Sequence, residues 1–155
     1  MVMGSLREET QVVVIGSGPG GYVAALRLAD LGATVIKVER HGTGDLCRTL
    51  YVSDVAIDGD STIFHAINRN KLGYAADLKD TADRSRIARL VAQADVVMHN
   101  MRYRAAIKLG IDYESLKEKF PRLVYCHTRG FEHGPREALP GNDQTGACLA
   151  GVEFE

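Results

Sequence analysis

Residues 11–40 read QVVVIGSGPGGYVAALRLADLGATVIKVER. Gln11 to Ile15 is a short β-branched run that stops at Gly16, and Thr34 to Val38 is a second, which predicts two strands. Between them, Pro19 to Leu31 has helical composition. Pro19 falls in the first turn, where its missing N–H leaves nothing unsatisfied, and Gly32 stands just past the end. The stretch therefore predicts a βαβ unit. Gly16, Gly18 and Gly21 form G-x-G-x-x-G directly after the first strand, and Glu39 ends the second at the spacing of an acidic ribose partner. On this reading Gly16 permits the tight turn and Gly18 lets a pyrophosphate approach backbone amides at the positive helix end. Gly21 lets helix and strand pack closely, and Glu39 accepts hydrogen bonds from an adenosine ribose.

Outward from this unit, His41 to Ser61 is rich in Gly and Asp, lacks periodicity, and reads as an unusually long loop. Alternation then resumes with a strand at Gly73 to Leu78. A helix follows at Thr81 to Ala92, with Asp80 as N-cap and Ile87, Leu90 and Val91 on one face, then a strand at Asp95 to Met98. Arg102 to Leu109, stopped by Gly110, and Tyr113 to Phe120, stopped before Pro121, are short helices, and Arg122 to Cys126 is a fifth strand. Uniformly apolar strands alternating with helices predict an α/β fold, a Rossmann-like, doubly wound parallel sheet in three layers. Residues 1–9 read as a polar tail and 10–155 as a single nucleotide-binding domain. Gly130 to Glu155 begins as a loop and leads into an apolar stretch from Ala147 that the chain end cuts short, so the domain is expected to be truncated at its C-terminus.

The chain has 155 residues, 45% hydrophobic and 25% charged, with 19 Lys plus Arg against 20 Asp plus Glu, the balance of one ordinary globular domain. A net charge of −1 without a basic cluster argues against nucleic acid and anionic membranes as partners. No apolar run approaches the roughly 18 residues that span a bilayer, and the charged N-terminus is unlike a signal sequence, so a cytoplasmic protein is expected. Cys47, Cys126 and Cys148 form no CxxC pair and read as free thiols. His41, His65, His99, His127 and His133 are scattered without ligand spacing, so no metal is expected. His99 stands out because it precedes Asn100 at a strand's carboxyl end, where doubly wound sheets place ligands. Asp45, Glu39 and Asp143 have no partner at a fixed spacing, and Tyr103 and Phe131 read as packing residues.

Two resemblances accompany these readings. Gln11 to Ala25 resembles the FAD-binding opening of dihydrolipoamide dehydrogenases, through Glu39. Those enzymes carry a redox disulfide whose cysteines lie five positions apart. Here Cys47 has only Val52 at the second position, so disulfide chemistry is excluded. From Ala29 onward the text resembles the family III CoA-transferases, which include carnitine CoA-transferase-like, formyl-CoA transferase and α-methylacyl-CoA racemase proteins. The resemblance rests on Val35 to Arg40, Asn68 to Lys71, Asp77 to Lys79, Ala94 to Val97, Asn100 to Arg102, Leu109 to Tyr113, Pro121 to Tyr125, Gly130 with Phe131, Gly134 with Pro135, and Gly141 to Asp143. The two resemblances meet near Ala29 to Gly32, which suggests a hybrid chain.

The second resemblance implies a domain that binds the ADP moiety of CoA, with Arg40, Lys71, Leu72, Asn100, Met101 and Lys108 at or near the nucleotide and Asn142 and Asp143 near substrate. Arg and Lys suit its phosphates, Arg bidentately and Lys as a point charge. The family's aspartate nucleophile has no match before Glu155, so no catalytic residue is assigned and the chain alone is expected to bind without transferring CoA. Racemase relatives carry His where this chain has Asn142, and Asn cannot act as general acid or base. The leading expectation is a CoA- or acyl-CoA-binding domain. The alternative is an FAD or NAD module using the glycine turn and Glu39, and a third is a folded fragment holding no ligand. Apolar residues from Ala147 to Phe154 predict association into homo-oligomers.

Overall fold

The first apolar run forms β1 (Gln11–Ile15) at the centre of a five-stranded sheet. The computed structural model describes residues 10–16, 19–52, 55–132, 134–139, 141, 147, 148 and 151. Gly18, Asn142 and Asp143 lie outside the described residues, as does most of the apolar stretch from Ala147 to Phe154. After β1 come α1 (Pro19–Asp30) and β2 (Thr34–Arg40), joined through Gly32 at φ +97°, a left-handed conformation that favours glycine. A 3-10 turn at Leu46–Thr49 and a small antiparallel pair, β3 (Ala56–Ile57) with β4 (Asp60–Ser61), precede α2 (Thr62–Asn68) and β5 (Lys71–Ala76). The remainder alternates as α3 (Thr81–Gln93), β6 (Val96–His99), α4 (Tyr103–Leu109), α5 (Tyr113–Lys117) and β7 (Val124–His127).

All ladders in the large sheet are parallel, and the strands run β5-β2-β1-β6-β7 across it. Side chains alternate between two cores. Val12, Val14, Val35 and Met98 face α1 through Ala25 and Ala29, while Val13, Ile15, Val38, Ala76 and Val97 face Ile87 and Val91 of α3, Ala106 of α4 and Leu116 of α5. This is the three-layer arrangement read from the sequence, and it explains the apolar strands: with helices on both faces neither side of a central strand meets water. Each fully buried Val or Ile contributes about 1.5–3 kcal/mol. Asp80 caps α3 by accepting from the Asp83 N–H at 2.9 Å, as its position predicted.

The structure departs from the sequence expectations in several places: α5 ends at Lys117 rather than Phe120, and β7 starts at Val124 rather than Arg122. The strand expected at Gly73 to Leu78 lies two residues earlier, because Asp77 belongs to a turn. Its N–H donates to Asp83 Oδ2 at 2.9 Å and its own Oδ1 accepts from the Lys79 N–H at 2.9 Å. The stretch from His41 to Ser61 is not a plain loop, since it holds the 3-10 turn and the small strand pair. Helix α2 has no counterpart among the expected elements. Its sequence, TIFHAIN, opens on β-branched and aromatic residues and buries no side chain completely, so no 3.6-residue stripe betrays it. What starts it is Ser61, buried, whose Oγ accepts from the Phe64 N–H at 3.1 Å and donates to the Cys47 carbonyl at 2.6 Å.

Candidate functional site

The connection leaving β1 runs to α1 on one face of the sheet, and the connection leaving β6 runs to α4 on the other. Between the carboxyl ends of these adjacent parallel strands lies the topological switch point, where open α/β sheets form their ligand crevice. Gly16 closes β1 at φ +110°, and a Cβ there would overlap Asn100 Oδ1, the amide of the first residue after β6. Only glycine satisfies both conditions, so the glycine that allows the turn also makes room for Asn100.

Beneath Asn100 the chain is held by aromatic groups on β6 and β7. His99, 1% exposed, accepts the Met101 N–H on Nδ1 at 3.2 Å, and its Nε2 lies 2.6 Å from the Tyr125 hydroxyl. Burial, reinforced by the neighbouring His127, lowers the His99 pKa to about 4. Burial, with Asp112 nearby, raises the Tyr125 phenol to about 12. His127 donates from Nε2 to the Met101 carbonyl at 2.8 Å, and its ring lies 4.2 Å from that of His99. Beside this group a cleft of about 720 Å³ is lined by Tyr103, Tyr113, Tyr125, His127, Arg129 and Phe131, among others. Tyr103 and Phe131 thus line a cleft rather than serving only as packing. The Arg129 guanidinium sits 5.3 Å from the Tyr103 ring, a cation–π distance. At its rim Gly130 and Gly141 pass so closely that a Cβ on either would strike the other's backbone.

The carboxyl end of β2 carries a different device. Lys37, 2% exposed, pairs with buried Asp45 and lies 3.7 Å from Glu39. Arg48 grips Glu39 with two bonds, Nε to Oε2 at 2.9 Å and Nη2 to Oε1 at 3.2 Å, and reaches Asp60 from Nη1. The Asp45 N–H adds a third bond to Glu39 Oε2 at 3.1 Å, and Arg48 stacks on Phe64 at 3.8 Å. Glu39, expected to accept from a ribose, is buried, and its carboxylate takes bonds from Arg48 and the Asp45 N–H. Asp45 and Glu39, which have no partner at a fixed spacing in the sequence, form one network that fastens the segment after β2 to the sheet. Lys37, Arg48 and Asp60 are the members that sequence reasoning leaves out, and the signal for Lys37 is a cation two residues before Glu39 on the same strand face.

The remaining expected contacts are dispersed. Asn100 and half-buried Met101 lie at the switch point, exposed Arg40 ends β2, and exposed Lys108 lies in the last turn of α4. Lys71 and Leu72 begin β5, opposite Val35 and Ile36, and so sit at the amino end of the strand. Lys71 Nζ donates to the carbonyls of Ile67 at 2.8 Å and Tyr22 at 3.2 Å, while Leu72 is 59% exposed. Burial, with the charge of Lys37 nearby, lowers the Lys71 pKa to about 8. Among the described residues no cluster of three or more His, Cys, Asp or Glu could hold a metal ion, and no helix is long and apolar enough to cross a membrane.

A protein-family model described as CoA-transferase family III matches residues 8–154. The chain belongs to CoA-transferase family III. It is 38% identical over 138 residues to succinate–glutarate CoA-transferase of Agrobacterium fabrum, covering 86% of this chain and 34% of that protein. To the human succinyl-CoA:glutarate CoA-transferase it is 35% identical, covering 85% of this chain and 30% of that protein. Among solved structures, a CAIB/BAIF family protein of Brucella suis superposes with a TM-score of 0.84 at 38% identity, over 92% of this chain and 38% of that one. The chain spans about a third of the length of the curated relatives it matches. The family III match begins before the glycine turn and runs through it, so nothing in these comparisons supports a junction near Ala29 to Gly32 or an FAD-binding segment.

Proposed function

We propose that this chain supplies the CoA-binding α/β domain of a family III CoA-transferase, an enzyme that moves CoA between carboxylic acids. One observation carries the reading: Gly16 and Asn100 meet at the switch point between β1 and β6, leaving the Asn100 amide exposed where a nucleotide would lie. Family membership supplies the ligand. Asn100 and Met101 contact the nucleotide at the crevice, and Arg40 and Lys108 offer exposed cations to its phosphates. Lys71 joins them only by giving up its carbonyl partners, Ile67 and Tyr22. Asn142 and Asp143 remain part of the proposal as substrate-side residues. Association of copies belongs to it as well, supported by Leu46, Leu50, Tyr51, Val52, Val55 and Ile57, all exposed in the segment between β2 and α2.

The test is thermal melting of the purified chain with CoA, FAD, NAD and buffer alone. Stabilisation by CoA and not by FAD or NAD is the expected result, growing with concentration by mass action, by about 2.7 kcal/mol at a hundred times Kd. Stabilisation by FAD or NAD alone, or by none of the three, overturns the proposal.

A further inference from the structure

Asn100 is exposed, and its side-chain amide makes no hydrogen bond with any described residue. Nothing at the tip of the side chain holds it over Gly16, so its place is set by the backbone beneath it. That backbone is gripped from both sides. The Met101 N–H donates to His99 Nδ1 at 3.2 Å, and the Met101 carbonyl accepts from His127 Nε2 at 2.8 Å. The two histidines end neighbouring strands in register, His99 opposite His127, and their rings pack 4.2 Å apart at an interplanar angle of 33°.

The clamp also fixes a tautomer. Because Nδ1 of His99 accepts an amide hydrogen, its proton resides on Nε2 and is donated to the Tyr125 oxygen, 2.6 Å away. The His99 carbonyl is held in turn by the Thr128 N–H at 2.9 Å and the Thr128 hydroxyl at 3.2 Å. The His99 ring and carbonyl and the Met101 carbonyl are therefore tied to β7 and the residue that follows it, and the Met101 N–H to the end of β6.

We propose that His99 and His127 are positioning residues that clamp Met101 between them and so hold the Asn100 amide at the switch point for the nucleotide part of CoA. The inference rests on the proposed function. Pre-setting the amide removes an ordering cost from binding, so loosening the clamp weakens affinity without touching the ligand.

Titration calorimetry with CoA on the wild-type chain, His127→Phe and His127→Gln tests it, with the melting temperature of each recorded. Phe keeps the ring against His99 but cannot donate, whereas Gln places an N–H at the same distance from the backbone as Nε2. The expected result is affinity about five- to tenfold weaker for His127→Phe, the size of one lost hydrogen bond, and within about twofold of wild type for His127→Gln. Equal binding by His127→Phe and wild type, or equal weakening in both variants, overturns the clamp alone. Failure of the wild type to bind CoA overturns the proposed function instead. Should His127→Phe not fold, the long-range ¹H–¹⁵N histidine spectrum of the wild type decides: His99 is expected as the Nε2–H tautomer, and the Nδ1–H tautomer overturns the proposal.

Discussion

Replacing Lys37 by Met removes the cation from a buried network and keeps most of its volume. Lys37 and Asp45 are 2% and 4% exposed, so water cannot take over the lost partner. Glu39 would retain Arg48 and the Asp45 N–H, but the Asp45 carboxylate would keep only the Cys47 N–H, at 2.8 Å. Stranding one partner of a buried pair costs about 3–5 kcal/mol, and the surviving bonds place Lys37→Met at the lower end, about 3 kcal/mol. In Lys37→Met with Asp45→Asn the charge disappears while Oδ1 still accepts from Cys47, so the double variant is expected to lose only about 1 kcal/mol. Urea unfolding followed by circular dichroism at neutral pH measures both. With a slope of about 2 kcal/mol/M, the single variant's midpoint falls by about 1.5 M and the double variant's by about 0.5 M. A single variant within about 1 kcal/mol of wild type, or a double variant no more stable than the single, would refute the reasoning.

Two further outcomes follow from the crevice. The His99 pKa is lowered from 6.5 to about 4, so between these values the folded state binds fewer protons than the unfolded one. Stability should fall as pH drops from about 6.5 and level off below about 4, by about 3 kcal/mol in all, and His99→Asn should flatten this slope in a pH series of urea midpoints; equal slopes would contradict the assignment. Gly16→Ala combines a side chain at φ +110° with a collision against Asn100 Oδ1. It should lower stability by about 1–3 kcal/mol and weaken CoA binding at least tenfold, and calorimetry showing wild-type affinity would count against Asn100 as a ligand contact.

Much of the fold is legible in the sequence because its signals are local. The β-branched runs of β1 and β2, Asp80 at its cap position and Gly110 ending α4 at φ +67° each act within a few residues of themselves. Helix α2 is not legible, since Ser61 starts it by bonding both to Phe64 and to a carbonyl fourteen residues back. Gly16 closes β1 at φ +110°, as a glycine is suited to do, while Gly18 lies outside the described residues. Glu39 has the spacing of a ribose acceptor, and only folding brings Arg48, nine residues on, into a two-pronged grip on it.

The sequence by itself determined the α/β alternation, the glycine that closes β1 and the resemblance to family III, because periodicity, glycine placement and motif order are properties of the linear text. Tertiary structure alone decided which polar groups face one another. It set Asn100 over Gly16, His99 against His127, and Lys37 between two carboxylates. Strands distant in the chain become neighbours only when the sheet orders them β5-β2-β1-β6-β7, and a carboxylate or an imidazole takes its role from whatever charge and solvent that order leaves beside it.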